Sequence, residues 1–237
     1  MELEVCLLPA LYPAYRQEND RVIVVDVFRA TTTICAAFAN GARAIIPVAG
    51  IQDAERYKAQ GFSVGAERNA RKCDFADFGN SPFDVTAEKV GGKTIVFTTT
   101  NGTQAVEAAK DSAYLLIGAF SNIDVLMEKS IEFGGRVVIL CAGWNNRINI
   151  EDTLFAGAFA EKLIQKAVIR RLPDSVRIAL HLWEKAKSDP LEFVKQTEHY
   201  QRLIANHAET DAPFCLQHDT CPVVPYYDKE KGWLSVS

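Results

Sequence analysis

The chain has 237 residues, 48% hydrophobic and 24% charged, with a formal net charge of −4. This is ordinary globular composition, which excludes a disordered, collagen-like or low-complexity protein and, at roughly 150 residues per domain, admits one large domain or a domain with an appendage. No apolar run approaches the roughly 18 residues of a membrane span, and the dispersed charges, 26 basic against 30 acidic, argue against nucleic-acid or membrane-surface binding.

The opening MELEVCLLPALYP carries glutamates where an export signal would carry basic residues, so it reads as a first strand. VIVVDV (22–27) is a strand leading into a helix with Ile34 and Phe38 four apart. ARAIIPV is a strand and IQDAERYKAQG a helix ending at Gly61. KTIVFT (93–98) precedes the helical GTQAVEAAK, AYLLIGA precedes SNIDVLMEKSIEF, and RVVILCA (136–142) precedes a long helix with Leu154, Phe155, Ala158, Phe159 and Leu163 on one face. Repeated strand–helix units imply a three-layer α/β/α fold with a mainly parallel or mixed sheet.

Past Arg171 the rhythm turns helical, with Val176, Ala179, Leu180 and Trp183 at helical spacing. Asp189, Pro190 and Glu192 predict an N-cap, first-turn proline and capping-box partner for one helix running towards Asn206. The close is expected to return a short edge strand at Val223 and Val224, flanked by prolines. A single domain, 1–237, is expected: an α/β core over 1–170, a helical appendage over 171–210 and an edge segment over 211–237.

In open α/β sheets the ligand crevice lies beyond the carboxyl ends of the strands. The polar residues there are Asp26 and Arg29 with Thr31, Thr32 and Thr33; Glu67 and Arg68; Asn80 and Ser81; Thr98 to Thr103; Asn122; and Glu151 with Asp152. Carboxylates, guanidiniums, hydroxyls and glycine-flanked backbone suit a metal ion and a phosphate. In TTTNGT, Asn101-Gly102 marks a turn after a strand, and Thr103 can cap the next helix, whose free N–H groups form an anion site. Strand propensity and turn chemistry explain the same string without a ligand. Asp26 ends an aliphatic run, where a carboxylate binds a cation such as Mg²⁺ or pairs with Arg29. Glu151 and Asp152, in a first helical turn, either answer the helix dipole or hold the metal with Asp26.

Other chemistries have weaker patterns. Cys141 and Arg147 have the C-x5-R spacing of cysteine phosphatases, but the loop CAGWNNR is bulky. Cys215, His218 and Cys221 form only part of a zinc pattern. His181, His199 and His207, on the appendage without sequence partners, read as surface or packing residues. No P-loop or dinucleotide fingerprint follows any strand. The six scattered cysteines suggest reduced thiols in a cytoplasm.

The strings VDVFRATTTI (25–34), AERN (66–69), DFGNSP (77–82), GKTIVFTTTNGT (92–103), GAFSN (118–122), CAG (141–143) and EDTLFAG (151–157) resemble, in order and spacing, the 2-phosphosulfolactate phosphatase (ComB) family. The resemblance implies a three-layer α/β/α fold and a Mg²⁺-dependent acid phosphatase converting 2-phospho-3-sulfolactate to 3-sulfolactate and phosphate, a step associated with coenzyme M biosynthesis. Ala66 and Ala70 stand where the family pattern has glycines around Glu67-Arg68-Asn69, and Phe75-Ala76 where it has Gly-Phe. Together with the strand-end reading, this gives Asp26, Arg29, Glu67 and Arg68 as catalytic candidates. Thr31, Thr32, Asn80, Ser81, Thr99, Thr100, Asn101, Gly102 and Thr103 are the substrate-binding candidates, and Asp26, Glu151 and Asp152 the Mg²⁺ candidates. The expected partner is a small anionic phosphate ester, and the commonness of two-fold assemblies suggests a homodimer. A cysteine phosphatase and a non-catalytic phosphoester or sulfonate sensor are the alternatives.

Overall fold

The computed structural model describes residues 1–236. In chain order the elements are β1 (Glu2–Cys6), α1 (Tyr12–Tyr15), β2 (Arg21–Val25), α2 (Ala30–Ala39), β3 (Ala44–Pro47), α3 (Ile51–Ala59), β4 (Ser63–Arg68), β5 (Arg71–Lys72), α4 (Ala87–Val90), β6 (Thr94–Thr98) and α5 (Gly102–Ala109). There follow β7 (Tyr114–Gly118), α6 (Ile123–Phe133), β8 (Arg136–Cys141), α7 (Ile150–Lys166), α8 (Asp174–Ala186), α9 (Pro190–Val194), α10 (Glu198–Ala205), α11 (Ala212–Cys215), β9 (Tyr226–Asp228) and β10 (Trp233–Ser235). One mixed sheet runs β1-β8-β2-β7-β9-β10-β3-β6-β4-β5, as the strand–helix alternation predicts. The β-branched run of β2 is buried from Val22 to Val25 because helices cover both faces.

One core lies beneath α6, α7 and α8, and a second beneath α2 and α5; a smaller cluster around Val64 and Val96 sits under α3. Helix α7 differs from its predicted single apolar face, since every residue from Glu151 to Ala160 is buried. Helix α8 covers its outer side. At Gly157 any side chain would stand 2.1 Å from the Ala179 carbonyl oxygen, so the missing Cβ permits this close approach.

Three further differences bear on the site. The helix expected from Asp189 to Asn206 breaks in two: the Asp189 side chain caps α9 by accepting from the Glu192 amide, and Thr197 caps a separate α10 by accepting from the Tyr200 amide. Glu67 and Arg68 belong to a strand, β4, that sequence reading did not single out. The returning segment is not at the edge: β9 pairs antiparallel with β7, and β10 with β3, so the hairpin fills the middle of the sheet. The parallel groups on either side of it, β1-β8-β2-β7 and β3-β6-β4, consequently run in opposite senses.

Candidate active site

The carboxyl ends of β2, β4 and β6 meet at a narrow cleft whose wall includes Asp26, Arg29, Glu67, Asn80, Thr100 and Asn101. The two most informative parts of the sequence, the carboxylate after β2 and the threonine turn after β6, therefore face one space. Trp144, His199 and Arg202 complete the wall.

Asp26 is 4% exposed. Burial pushes its carboxyl up to about 7; nearby His199 and the Ala30 amide oppose the shift, and the Glu67 and Glu151 carboxylates add to it. Its own amide donates to the Thr31 hydroxyl, which donates back to the Asp26 carbonyl at 2.9 Å. The carboxylate thus stands beside the N-terminus of α2 and, through Gly102, beside that of α5. A Cβ on Gly102 would lie 2.5 Å from the Ala30 Cβ and 2.9 Å from Asp26 Oδ2.

The threonine turn is self-braced. The Thr99 and Thr103 amides each donate to the other's hydroxyl, at 3.2 and 3.3 Å, and the Thr103 hydroxyl also donates to the Thr99 carbonyl. This exchange fixes the first turn of α5, where unsatisfied amides favour an anion. Thr100 donates through its hydroxyl to Glu67 at 3.0 Å and accepts from the Asn69 amide. Glu67 also accepts from the Ala70 and Thr100 amides, so it ties the loop after β4 to the loop after β6. Asn101 and Thr100 line the cleft, whereas Thr99 and Thr103 are buried in its support.

Several candidates serve the frame and not the cleft. Thr32 donates to the Val27 carbonyl, and Thr31 is engaged with Asp26 backbone. The guanidinium of Arg68, a catalytic candidate, donates to the Glu67 and Ala49 carbonyls and to the Thr98 hydroxyl and does not line the cleft. Ser81 donates to Asp211 at 2.8 Å, and Arg29 pairs with the same buried Asp211 at 2.5 Å. Asp211 escaped sequence reading because it lies 182 residues from Arg29.

The expected carboxylate trio does not close on one point. Asp152 accepts from the Val27 and Gly143 amides at 2.9 and 3.1 Å, which clamps the loops after β2 and β8. Burial, with Glu151 and Asp26 nearby, pushes its carboxyl well above the usual range. Glu151, fully buried, places Oε1 2.5 Å from His199 Nδ1. Among the described residues no three His, Cys, Asp or Glu side chains gather into a metal cage. An oxygen donor of another type remains: the buried Asn80 Oδ1 has no hydrogen-bond partner and its residue shares the cleft with Asp26.

His199, read as a packing residue, is instead part of the cleft wall. Its only sequence signal would have been a histidine at a buried helical position. The other constellations dissolve. Cys141 is wholly buried, and burial, with Asp152 adding, pushes its thiol well above its ordinary range, the opposite of an activated nucleophile. Cys215 and Cys221 belong to different cores, and His218 stacks on Phe120. No helix of the described residues is long and apolar enough to cross a membrane.

A family model described as 2-phosphosulpholactate phosphatase matches residues 6–230. A probable 2-phosphosulfolactate phosphatase of Thermotoga petrophila is 39% identical over 215 residues, covering 90% of this chain and 91% of its own. A protein so named from Thermotoga maritima is 38% identical with the same coverage. Another from Caldanaerobacter subterraneus subsp. tengcongensis is 32% identical over 224 residues, covering 90% and 92%.

Proposed function

The chain belongs to the 2-phosphosulpholactate phosphatase family, phosphoric monoester hydrolases, and from that premise we propose that it hydrolyses 2-phospho-3-sulfolactate, or a related 2-hydroxy-acid phosphate, with Mg²⁺. The observation that carries this reading is the meeting of Asp26, which lines the cleft, with the N-termini of α2 and α5 at Ala30 and Gly102. A phosphoryl group there would be met by helix amides on one side and by a carboxylate able to hold a cation on the other.

The donor set fits Mg²⁺, which takes hard oxygen ligands and commonly binds through one or two protein groups while keeping waters and substrate oxygens. Asp26 and the unpartnered Asn80 Oδ1 would hold it. Bound there, it would act as a Lewis acid on the phosphoryl oxygens. The chain's own work is orientation and charge stabilisation: the α5 amides and the Asn101 side chain bind phosphoryl oxygens, Glu67, holding both Thr100 donors, fixes the loops that present them, and the Arg29–Asp211 pair braces the wall beside them. All six cysteines are free thiols, which suits a reducing cytoplasm.

A phosphate-release assay on 2-phosphosulfolactate, 2-phospholactate and simple alkyl phosphates tests the reading. We expect release from the 2-hydroxy-acid esters, loss after EDTA treatment and recovery with Mg²⁺. Tight binding without release would make the protein a sensor, and undiminished release in EDTA would remove the metal.

A further inference from the structure

Beyond the phosphoryl cleft lies a second cavity, of about 300 Å³. Trp144, His199 and Arg202 line both spaces, and Arg147, Asn149 and Glu151 line the second alone. Three buried polar atoms in its wall have no hydrogen-bond partner: Asn149 Nδ2, Glu151 Oε2 and Arg202 Nε. Unpaired buried donors and acceptors are costly unless something polar reaches them, so this cavity is built for a polar occupant. The Arg202 guanidinium lies 3.8 Å above the Trp144 ring, which holds it at the junction.

His199 stands between the two spaces. Its Nδ1 faces Glu151 Oε1, and its ring meets the Phe28 ring edge-on at 5.9 Å. A carboxylate at Nδ1 fixes the tautomer and plane of an imidazole, which leaves Nε2 as the nitrogen for chemistry. Nε2 makes no hydrogen bond with the described residues.

Resting on the phosphatase reading above, we propose that His199 is the general acid that protonates the departing ester oxygen, that Glu151 is its positioning residue, and that the second cavity receives the leaving alcohol. With the phosphoryl group against α5, the remainder of the ester extends past His199 towards Asn149 and Arg202. As a water oxygen bonds to phosphorus, the bond from phosphorus to the ester oxygen breaks. Its electron pair stays on that oxygen, which takes the proton from imidazolium Nε2. The proton lost by the attacking water passes to solvent, and solvent reprotonates Nε2. The net change is one water and one ester to one alcohol and one phosphate.

The test uses leaving groups of different basicity on the full chain with Mg²⁺ present. An alkoxide needs a proton as it departs, whereas 4-nitrophenolate does not. Replacing His199→Gln should lower kcat on 2-phospholactate about 10²- to 10³-fold but on 4-nitrophenyl phosphate less than about tenfold, with KM within a few-fold on both. Glu151→Gln should show the same selectivity with a smaller loss. Equal losses on the two esters, or a loss confined to KM, would overturn the assignment of His199. Release from neither ester by the unaltered protein would instead overturn the phosphatase reading itself. A measurement independent of folding in the variants is kcat of the unaltered protein in heavy water: we expect about twofold slowing on 2-phospholactate and little on 4-nitrophenyl phosphate. Equal effects there also overturn the proposal.

Discussion

Asp26 stores a penalty that its role requires. Its carboxyl is held near 7 inside the fold but titrates near its ordinary value of 3.8 in an unfolded chain. Below that ordinary value it is neutral in both states and costs nothing. Between the two values the unfolded chain loses the proton first, so stability falls as pH rises, and above about 7 the whole penalty persists. In metal-free protein, Asp26→Asn should therefore raise unfolding free energy at pH 8 by about 2–4 kcal/mol, an advantage that vanishes near pH 4, while turnover is lost. Urea unfolding in EDTA at the two pH values measures it, and equal stability at pH 8 would show that neighbouring groups already offset the charge. This residue was legible in sequence because a carboxylate ending an aliphatic strand needs a reason. His199 was not, because its partner Glu151 lies 48 positions away and no local pattern announces such a pair.

At the level of elements, the site depends on how closely α5 approaches α2. The Asn101-Gly102 turn was readable, but the tightness of this approach was not: it comes from Ala30 and Gly102 both being small across a 72-residue interval of chain. Their place at strand ends marks threonines 31, 32, 99 and 103 as substrate contacts. They turn out to satisfy the backbone there, since a buried strand-to-helix turn leaves amides and carbonyls that only short hydroxyl side chains can reach. Gly102→Ala would bring its methyl within 2.5 Å of the Ala30 Cβ, and neither partner is a flexible chain that can swing away. The start of α5 must shift outward from Asp26. We expect a destabilisation of about 1–3 kcal/mol and a fall in kcat larger than the change in KM, because the displaced amides serve the phosphoryl group. Thermal unfolding and steady-state kinetics together check this; unchanged kcat would remove the α5 terminus from the chemistry.

For the molecule as a whole, the sheet is two parallel groups of opposite sense joined through β9 and β10, and the cleft takes Asp26 from one group and Glu67, Thr100 and Asn101 from the other. Parallel strands and their helices follow from local periodicity. The placement of a short C-terminal hairpin does not, because Pro225 and the few residues of β9 and β10 carry the composition of an edge while topology sets them at the centre. Among the described residues the join is narrow: β9 registers with β7 at Leu116–Tyr226, supplemented by the Ile117 amide donating to the Pro225 carbonyl at 2.9 Å, and β10 registers with β3 at Leu234–Ile45. Leu234 is fully buried within the core that also contains Ile45 and Ile117. Removing its side chain should therefore do more than empty a cavity at the chain end. Leu234→Ala should cost about 2–5 kcal/mol, the range for a central core leucine, and should broaden the unfolding transition, because the two groups would no longer be locked into one cooperative unit. A strand at the edge would behave differently, with a smaller loss and an unchanged transition. Denaturant unfolding followed by both tryptophan fluorescence and circular dichroism separates the two: coincident curves with a small shift would return this segment to the periphery, and separated curves would show that the hairpin holds the halves of the cleft together.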